Sequence, residues 1–159
     1  MDTLWAPWRI KYITSNEHPG KCVFCAAPEE NNDQGNLILY RGKNTFIIMN
    51  RYPYTTGHLM IVPYVHTANM DSLASEIRAE MMEMVNDAIN KLKIVYKPDG
   101  INVGINLGSA AGAGIAEHMH IHIVPRWNGD TNFMSTVGEA RVLPESLEST
   151  YSRLVELWK

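Results

Sequence analysis

The chain has 159 residues, of which 45% are apolar and 19% charged, with a formal net charge of −3. An apolar share this high with nearly balanced charge excludes a disordered polymer, and the length suits one compact domain of about 100–200 residues, 1–159. No apolar run reaches the ~18 residues of a spanning helix and no dense Lys/Arg stripe marks a duplex-DNA binder, so neither a membrane nor nucleic acid is an expected partner.

Residues 1–35 read as an irregular arm. Its first 13 residues lack the uninterrupted apolar stretch of a secretion signal, which points to the cytoplasm. Trp5, Pro7 and Trp8 come first, then Cys22-Val23-Phe24-Cys25, flanked by Pro19, Gly20 and Pro28. A CxxC pair in a chain without an export signal reads as half a zinc site or as a redox pair. A redox pair belongs between the strand and helix of a βαβ unit, and this context is loop-like. Zinc is therefore the favoured reading, with CxxC supplying two of four ligands.

Strand patterns follow over Asn36–Tyr40 and Thr45–Asn50, joined by a hairpin loop at 41–44, and then over His58–Val62 after a turn carrying Pro53 and Gly57. Over residues 72–93 the period changes. Leu73, Ile77, Met81, Met84, Val85, Ala88, Ile89 and Leu92 recur every three or four residues, which predicts an amphipathic helix capped by Asp71 or Ser72. The cluster Met81, Met82 and Met84 reads as core filling. Fourth and fifth strands are expected at Ile101–Leu107 and His118–Val124, separated by the small-residue run 108–114. A terminal helix is expected over 143–159, with Pro144 in its first turn. The order ββ-β-α-β-β-α with short connections predicts an α+β fold with a largely antiparallel sheet.

The densest signal is His118-Met119-His120-Ile121-His122. On a strand, side chains alternate, so the three imidazoles should share one face while Met119, Ile121 and Ile123 turn to the core. A solvated histidine face is the plainest alternative. Three chemical readings stand beside it. A metal centre built from all three suffers from their spacing, about 6.5–7 Å between alternate side chains. A two-histidine, one-carboxylate iron site needs Glu117, which faces the wrong way. Nucleophilic attack on phosphorus suits a neutral imidazole near pH 7, with flanking histidines orienting it or donating to phosphate oxygens. The loop 108–114 could add backbone N–H donors. No P-loop is present. Gly112-Ala113-Gly114 opens like a dinucleotide fingerprint but has Glu117 in place of its third glycine and leads into a strand.

At these residues a resemblance enters. His118-Met119-His120-Ile121-His122-Ile123-Val124 resembles the HxHxHφφ signature (φ apolar) of the histidine triad, or HIT, superfamily. Phe46–Arg51 and Thr56–Pro63 are similar to that family's two central strands. Leu4–Arg9 and Val124–Phe133 resemble its branch containing bacterial diadenosine tetraphosphate phosphorylases, beside dinucleoside polyphosphate hydrolases of the fragile-histidine-triad type. The resemblance implies an α+β fold whose five strands per subunit continue into a homodimer, and nucleotidyl transfer from dinucleoside polyphosphates through a nucleotidyl-histidine on His120. It implies His122 on the phosphate, His58 in the same pocket, Asn50 on a ribose hydroxyl and Ile48 against the base. Asn106 and Gly112, Ala113 and Gly114 would hold phosphate oxygens, with Trp127 a stacking surface for the second nucleoside or a core residue. AMP, ADP and ATP are the implied mononucleotide partners. Zinc-bearing relatives imply a structural Zn2+ on Cys22, Cys25, His66 and His118; His66 as an ordinary loop histidine and His18 as a solvated one are the plainer readings. A zinc-containing nucleotide binder without turnover, and a phosphoramidate hydrolase of the same fold, are the alternative functions.

Overall fold

The computed structural model describes residues 20–132, 135 and 143–159. Trp5, Pro7, Trp8, His18 and Phe133 lie outside them, as does the Leu4–Arg9 stretch. Two short helices come first, α1 (Val23–Glu29) and α2 (Asp33–Asn36). Five strands follow, β1 (Ile38–Arg41), β2 (Thr45–Met49), β3 (Leu59–Pro63), β4 (Gly100–Ile105) and β5 (Ile121–Arg126). The long helix α3 (Ser75–Tyr96) separates β3 from β4, and α4 (Leu147–Val155) leads into a final 3-10 turn, Glu156–Trp158.

The strands form one sheet in the order β1-β2-β3-β5-β4, and every pairing is antiparallel. β2 and β3 are buried along their whole length, as continuous apolar runs in central strands require. Directly paired residues share a face of a sheet. The register therefore places Ile48, Met60, His122 and Gly104 in one row across four strands. The adjacent row, Ile47, Ile61, Ile121 and Ile105, belongs to the opposite face. That face carries Thr45, whose hydroxyl contacts Met84 of α3 at 2.9 Å. α3 buries Met81, Met84, Val85, Ala88 and Leu92, a stripe at helical spacing.

Several expected boundaries shift for local reasons. The arm is not irregular where it is described: Cys22 is the N-cap of α1, and α2 ends at Leu37, whose φ of 61° bends the chain into β1. The predicted cap of the long helix is also replaced. Met70–Ser72 form a 3-10 turn, and α3 starts after Ala74 without a side-chain cap. Met82 departs from the core reading, being 57% exposed, while Met81 and Met84 are buried. The terminal helix begins at Leu147, where the Ser146 hydroxyl accepts from Ser149 N–H, so Pro144 precedes it. Tyr151 anchors α4 by donating to the Ile38 carbonyl at 3.1 Å.

The largest revision concerns β5. It begins at Ile121, so only His122 of the three histidines lies in the strand. Met119, Ile121 and Ile123 are buried as expected, but His118 and His120 are buried too, 0% and 4% exposed. His118 sits in a bend and turns away from its neighbours because its ring has other partners.

Candidate active site and metal centre

The β2–β3 turn brings the first site residues together. Gly57 has φ of +79°, and a Cβ there would lie 3.2 Å from Leu92, so glycine is required. The chain then re-enters the sheet at His58, whose carbonyl accepts from Asn50 N–H at 3.0 Å. Asn50 Oδ1 accepts from Tyr52 N–H at 2.9 Å, which holds that side chain at the start of the turn.

Hydrogen bonds assign the imidazole tautomers, because a carbonyl only accepts and a backbone N–H only donates. His120 Nδ1 lies 2.9 Å from the His118 carbonyl and must carry its proton there, leaving a lone pair on Nε2. Tyr54 N–H donates to His58 Nδ1 at 3.1 Å, so His58 is protonated on Nε2. That Nε2–H then donates to His122 Nδ1 at 2.9 Å, leaving His122 with its proton on Nε2. The His120 and His122 rings are 4.7 Å apart, edge to face. Side by side they present one lone pair and one N–H donor.

Electrostatics favour the neutral forms. Burial lowers the His120 pKa below the ordinary imidazole value of 6.5. Burial, with the neighbouring His120 second, lowers His122 to about 4. A buried imidazole that remains neutral at pH 7 keeps its lone pair for an electrophile.

A second cluster lies behind this pair. The ligand atoms of Cys22, Cys25, His66 and His118 all fall within 4.8 Å of one another. His118 donates its Nε2–H to the Pro63 carbonyl at 2.8 Å, which leaves Nδ1 unprotonated. That nitrogen lies 3.4 Å from Cys22 Sγ, 3.6 Å from Cys25 Sγ and 3.3 Å from His66 Nδ1. Burial, then the adjacent Cys22, pushes the Cys25 thiol up to about 11. Two sulfurs this close repel as thiolates, and a divalent cation between them relieves that cost. The four residues can hold a metal ion.

The remaining sequence candidates are spread around the triad. Ile48 and His122 share a face of the sheet, with Met60 between them. Asn106 follows β4 by the same alternation that puts Gly104 beside His122. The run 108–114 contains a 3-10 turn, Ser109–Ala111, bounded by Gly108 and Gly112 with φ of +83° and +88°. Within it the N–H groups of Gly112 and Ala113 donate to the Ser109 and Gly108 carbonyls. Trp127 is half-buried, and its N–H donates to Asp130, which also grips Arg126. Two neighbours escaped the motif reading. The Phe24 ring lies 5.0 Å from His120 and 5.5 Å from His118, and the Tyr54 ring lies 4.6 Å from His58. Phe24 was signalled only by its place between the two cysteines, and Tyr54 only by lying four residues before His58.

A model of the HIT domain matches residues 31–129. The chain belongs to the HIT family. It is 38% identical to an AP-4-A phosphorylase of Mycobacterium tuberculosis, over 99% of this chain and 85% of the relative. A bis(5'-adenosyl)-triphosphatase of Saccharomyces cerevisiae is 33% identical over 57% of this chain and 44% of that protein. Among solved structures, a Zn-bound histidine triad family protein from Mycobacterium smegmatis superposes with a TM-score of 0.69. It is 28% identical, with 87% of this chain and 93% of that one covered. The HIT fold expected from the motif is thus present, five antiparallel strands with their helices. Cys22 and Cys25 precede the stretch that the family model matches. Among the described residues no helix is long and apolar enough to cross a membrane.

Proposed function

We propose that this HIT protein transfers a nucleotidyl group from a dinucleoside polyphosphate of the diadenosine tetraphosphate type, through a nucleotidyl-histidine on His120. The observation that carries this reading is the bond from His120 Nδ1–H to the His118 carbonyl, which leaves Nε2 as a nucleophile. The lone pair of Nε2 attacks the α-phosphorus, an N–P bond forms, and the bond to the polyphosphate oxygen breaks with its electron pair on the leaving nucleotide. An oxygen of inorganic phosphate or of water then attacks the same phosphorus and returns the electron pair to His120, a water's proton passing to solvent. His122 Nε2–H is the donor for a non-bridging phosphate oxygen, where charge develops in each transition state. His58 holds His122 in that tautomer. Relatives named AP-4-A phosphorylase and bis(5'-adenosyl)-triphosphatase support this substrate class.

In this reading Ile48 packs against the base and the side-chain amide of Asn50 bonds a ribose hydroxyl. Asn106 and the loop of Gly112, Ala113 and Gly114 hold phosphate oxygens, Gly112 and Ala113 by exchanging their internal bonds for the ligand. Trp127 offers its face to the second nucleoside. AMP, ADP and ATP are the mononucleotide ligands that follow from this chemistry. The assignment of the four-residue cluster to Zn2+ rests on its spacing. Zn–S bonds of about 2.3 Å and Zn–N bonds of about 2.05 Å in a tetrahedron give S···N edges of about 3.6 Å and N···N edges of about 3.3 Å. The measured separations of 3.3–3.6 Å fit that figure. With four protein ligands the ion is structural and ties α1 to the residue before Met119. A cytoplasmic location agrees with two cysteines that form no disulfide.

A homodimer with a continuous sheet belongs to the same reading. β4 is one of the two edges of the sheet; Val103 on it is 43% exposed, and Leu107 just after it 48%. An apolar open edge invites pairing with a second copy.

Incubation with diadenosine tetraphosphate, with and without inorganic phosphate, tests the activity. ADP plus ATP identifies phosphorolysis, and AMP plus ATP identifies hydrolysis. Tight AMP binding with neither product set would refute turnover and leave a binding protein.

A further inference from the structure

Tyr54, in the β2–β3 turn, touches both imidazoles that direct the proton on His122. Its N–H donates to His58 Nδ1 at 3.1 Å, and its ring centroid lies 4.6 Å from that of His58 and 6.0 Å from that of His122. A backbone N–H cannot reverse its role, so it fixes the direction of each bond behind it. Donation runs from Tyr54 N–H to His58 Nδ1, and from His58 Nε2–H to His122 Nδ1. An isolated imidazole has two tautomers close in energy and can flip between them. Here a switch of either tautomer breaks a bond of this chain, and the Tyr54 ring packs over both imidazoles.

The turn itself is held at both ends. Asn50 Oδ1 accepts from Tyr52 N–H at 2.9 Å, and Thr55 Oγ1 donates to the Pro125 carbonyl of β5 at 2.8 Å. His58 N–H returns to the Thr55 carbonyl at 3.2 Å. Tyr54 is thus tied to the strand that carries His122.

We infer that Tyr54 is a positioning residue of this site: its N–H and its ring together hold His58 and His122 in the tautomers that leave His122 Nε2–H as a donor to a substrate phosphate. Nothing in the HxHxH signature marks this residue, and its contribution is made through two other side chains. The identity of the phosphate ligand rests on the nucleotidyl-transfer reading; the tautomers do not.

Long-range 1H–15N correlation spectra of the full chain read the tautomers directly. In the wild-type protein both His58 and His122 should show an unprotonated Nδ1 and a protonated Nε2. In Tyr54→Pro, which lacks this N–H, the His58 and His122 resonances should move toward a mixture of tautomers. For diadenosine tetraphosphate, kcat should then fall about tenfold with KM within about twofold, as for a misplaced donor. Tyr54→Phe keeps the ring and the N–H and should recover the wild-type tautomers and most of kcat. A wild-type spectrum with the proton on His58 Nδ1 overturns the inference without any variant. So does a folded Tyr54→Pro protein whose tautomers stay fixed. If the wild-type protein cleaves no dinucleotide, the spectra still decide the role of Tyr54, so the two readings fail separately.

Discussion

His120 donates its Nδ1–H to the carbonyl of His118, and His118 points its own Nδ1 away from it, into the pair of cysteines. Two histidines separated by one residue thus turn their lone pairs apart, one left on the Nε2 of His120 and the other aimed into a four-residue cluster that can hold a metal ion. The Phe24 ring lies against both imidazoles, and the peptide between them carries Met119, whose N–H donates to the Thr67 carbonyl at 2.7 Å. Met119 is itself buried in the core. The bend is therefore fixed from three sides, which is why β5 starts only at Ile121.

His120→Asn removes the nucleophile and should lower turnover of diadenosine tetraphosphate by a factor on the order of 10⁴. Loss of one buried hydrogen bond should cost about 1 kcal/mol of stability, leaving the protein folded. Steady-state rates and mass spectrometry of the protein quenched in alkaline denaturant, where an N–P bond survives, check this. Wild type should carry a nucleotidyl adduct on His120, and the variant none. Turnover near the wild-type rate would remove His120 from the role assigned to it.

Metal removal should act on stability before it acts on chemistry. Prolonged dialysis against a strong chelator, or Cys22→Ser, should release one ion per chain and lower Tm. The loss should reach about 4 kcal/mol where the free ion exceeds its Kd a thousandfold. Hydrogen exchange should rise first over Val23–Glu29, because Cys22 and Cys25 join α1 to His66 and His118. Elemental analysis of the purified protein gives the stoichiometry. An unchanged Tm after complete chelation would leave the cluster without a structural role.

The motif and the sheet were legible in the sequence because both rest on local pattern. Continuous apolar runs marked β2 and β3, and helical spacing marked α3. The break between His120 and Ile121 was not legible. Alternation alone extends the strand back to His118, and only a long-range bond to Pro63 and the distant cysteines turns that ring aside. The helical form of the CxxC segment was hidden likewise, since Pro28 and Gly20 signal a loop and Cys22 caps α1 without a side-chain bond. Tyr54 carried no signal because half its contribution is a backbone N–H, which every residue but proline owns.

Glu80 should matter to the fold in a pH-dependent way. Its carboxylate accepts from Asn44 N–H at 2.9 Å, Thr45 N–H at 3.2 Å and the Asn44 side-chain amide at 2.6 Å, bracing the β1–β2 hairpin against α3. Burial opposes its charge, but these donors outweigh it and hold its pKa below the ordinary 4.5. A depressed carboxyl contributes stability above its unfolded pKa and loses it as pH falls further. Glu80→Gln should therefore cost about 1–2 kcal/mol at pH 7, with the gap to wild type closing below pH 4.5. Urea unfolding at several pH values measures that gap. A constant difference down to acid pH would show that geometry, not charge, holds the hairpin.

His122 should make the protein acid-sensitive over a higher range. Burial, with His120 beside it, depresses its pKa from 6.5 to about 4. Between those values the unfolded chain binds a proton on this residue that the folded chain does not, so stability rises with pH across the window. Protonating His122 also places a proton on Nδ1, opposite His58 Nε2–H at 2.9 Å, and breaks the bond between them. From pH 6.5 down to about 4 the fold should lose up to about 3 kcal/mol through this group alone. His122→Asn removes the titration, so its Tm should decline less steeply over that range even if it starts lower at pH 7. Thermal unfolding of both proteins in one buffer series isolates the difference, because the substitution is the only change between them. Parallel Tm profiles for the two would mean that His122 is protonated in the folded protein at the ordinary imidazole pKa, and that the neutral donor assigned to it is wrong.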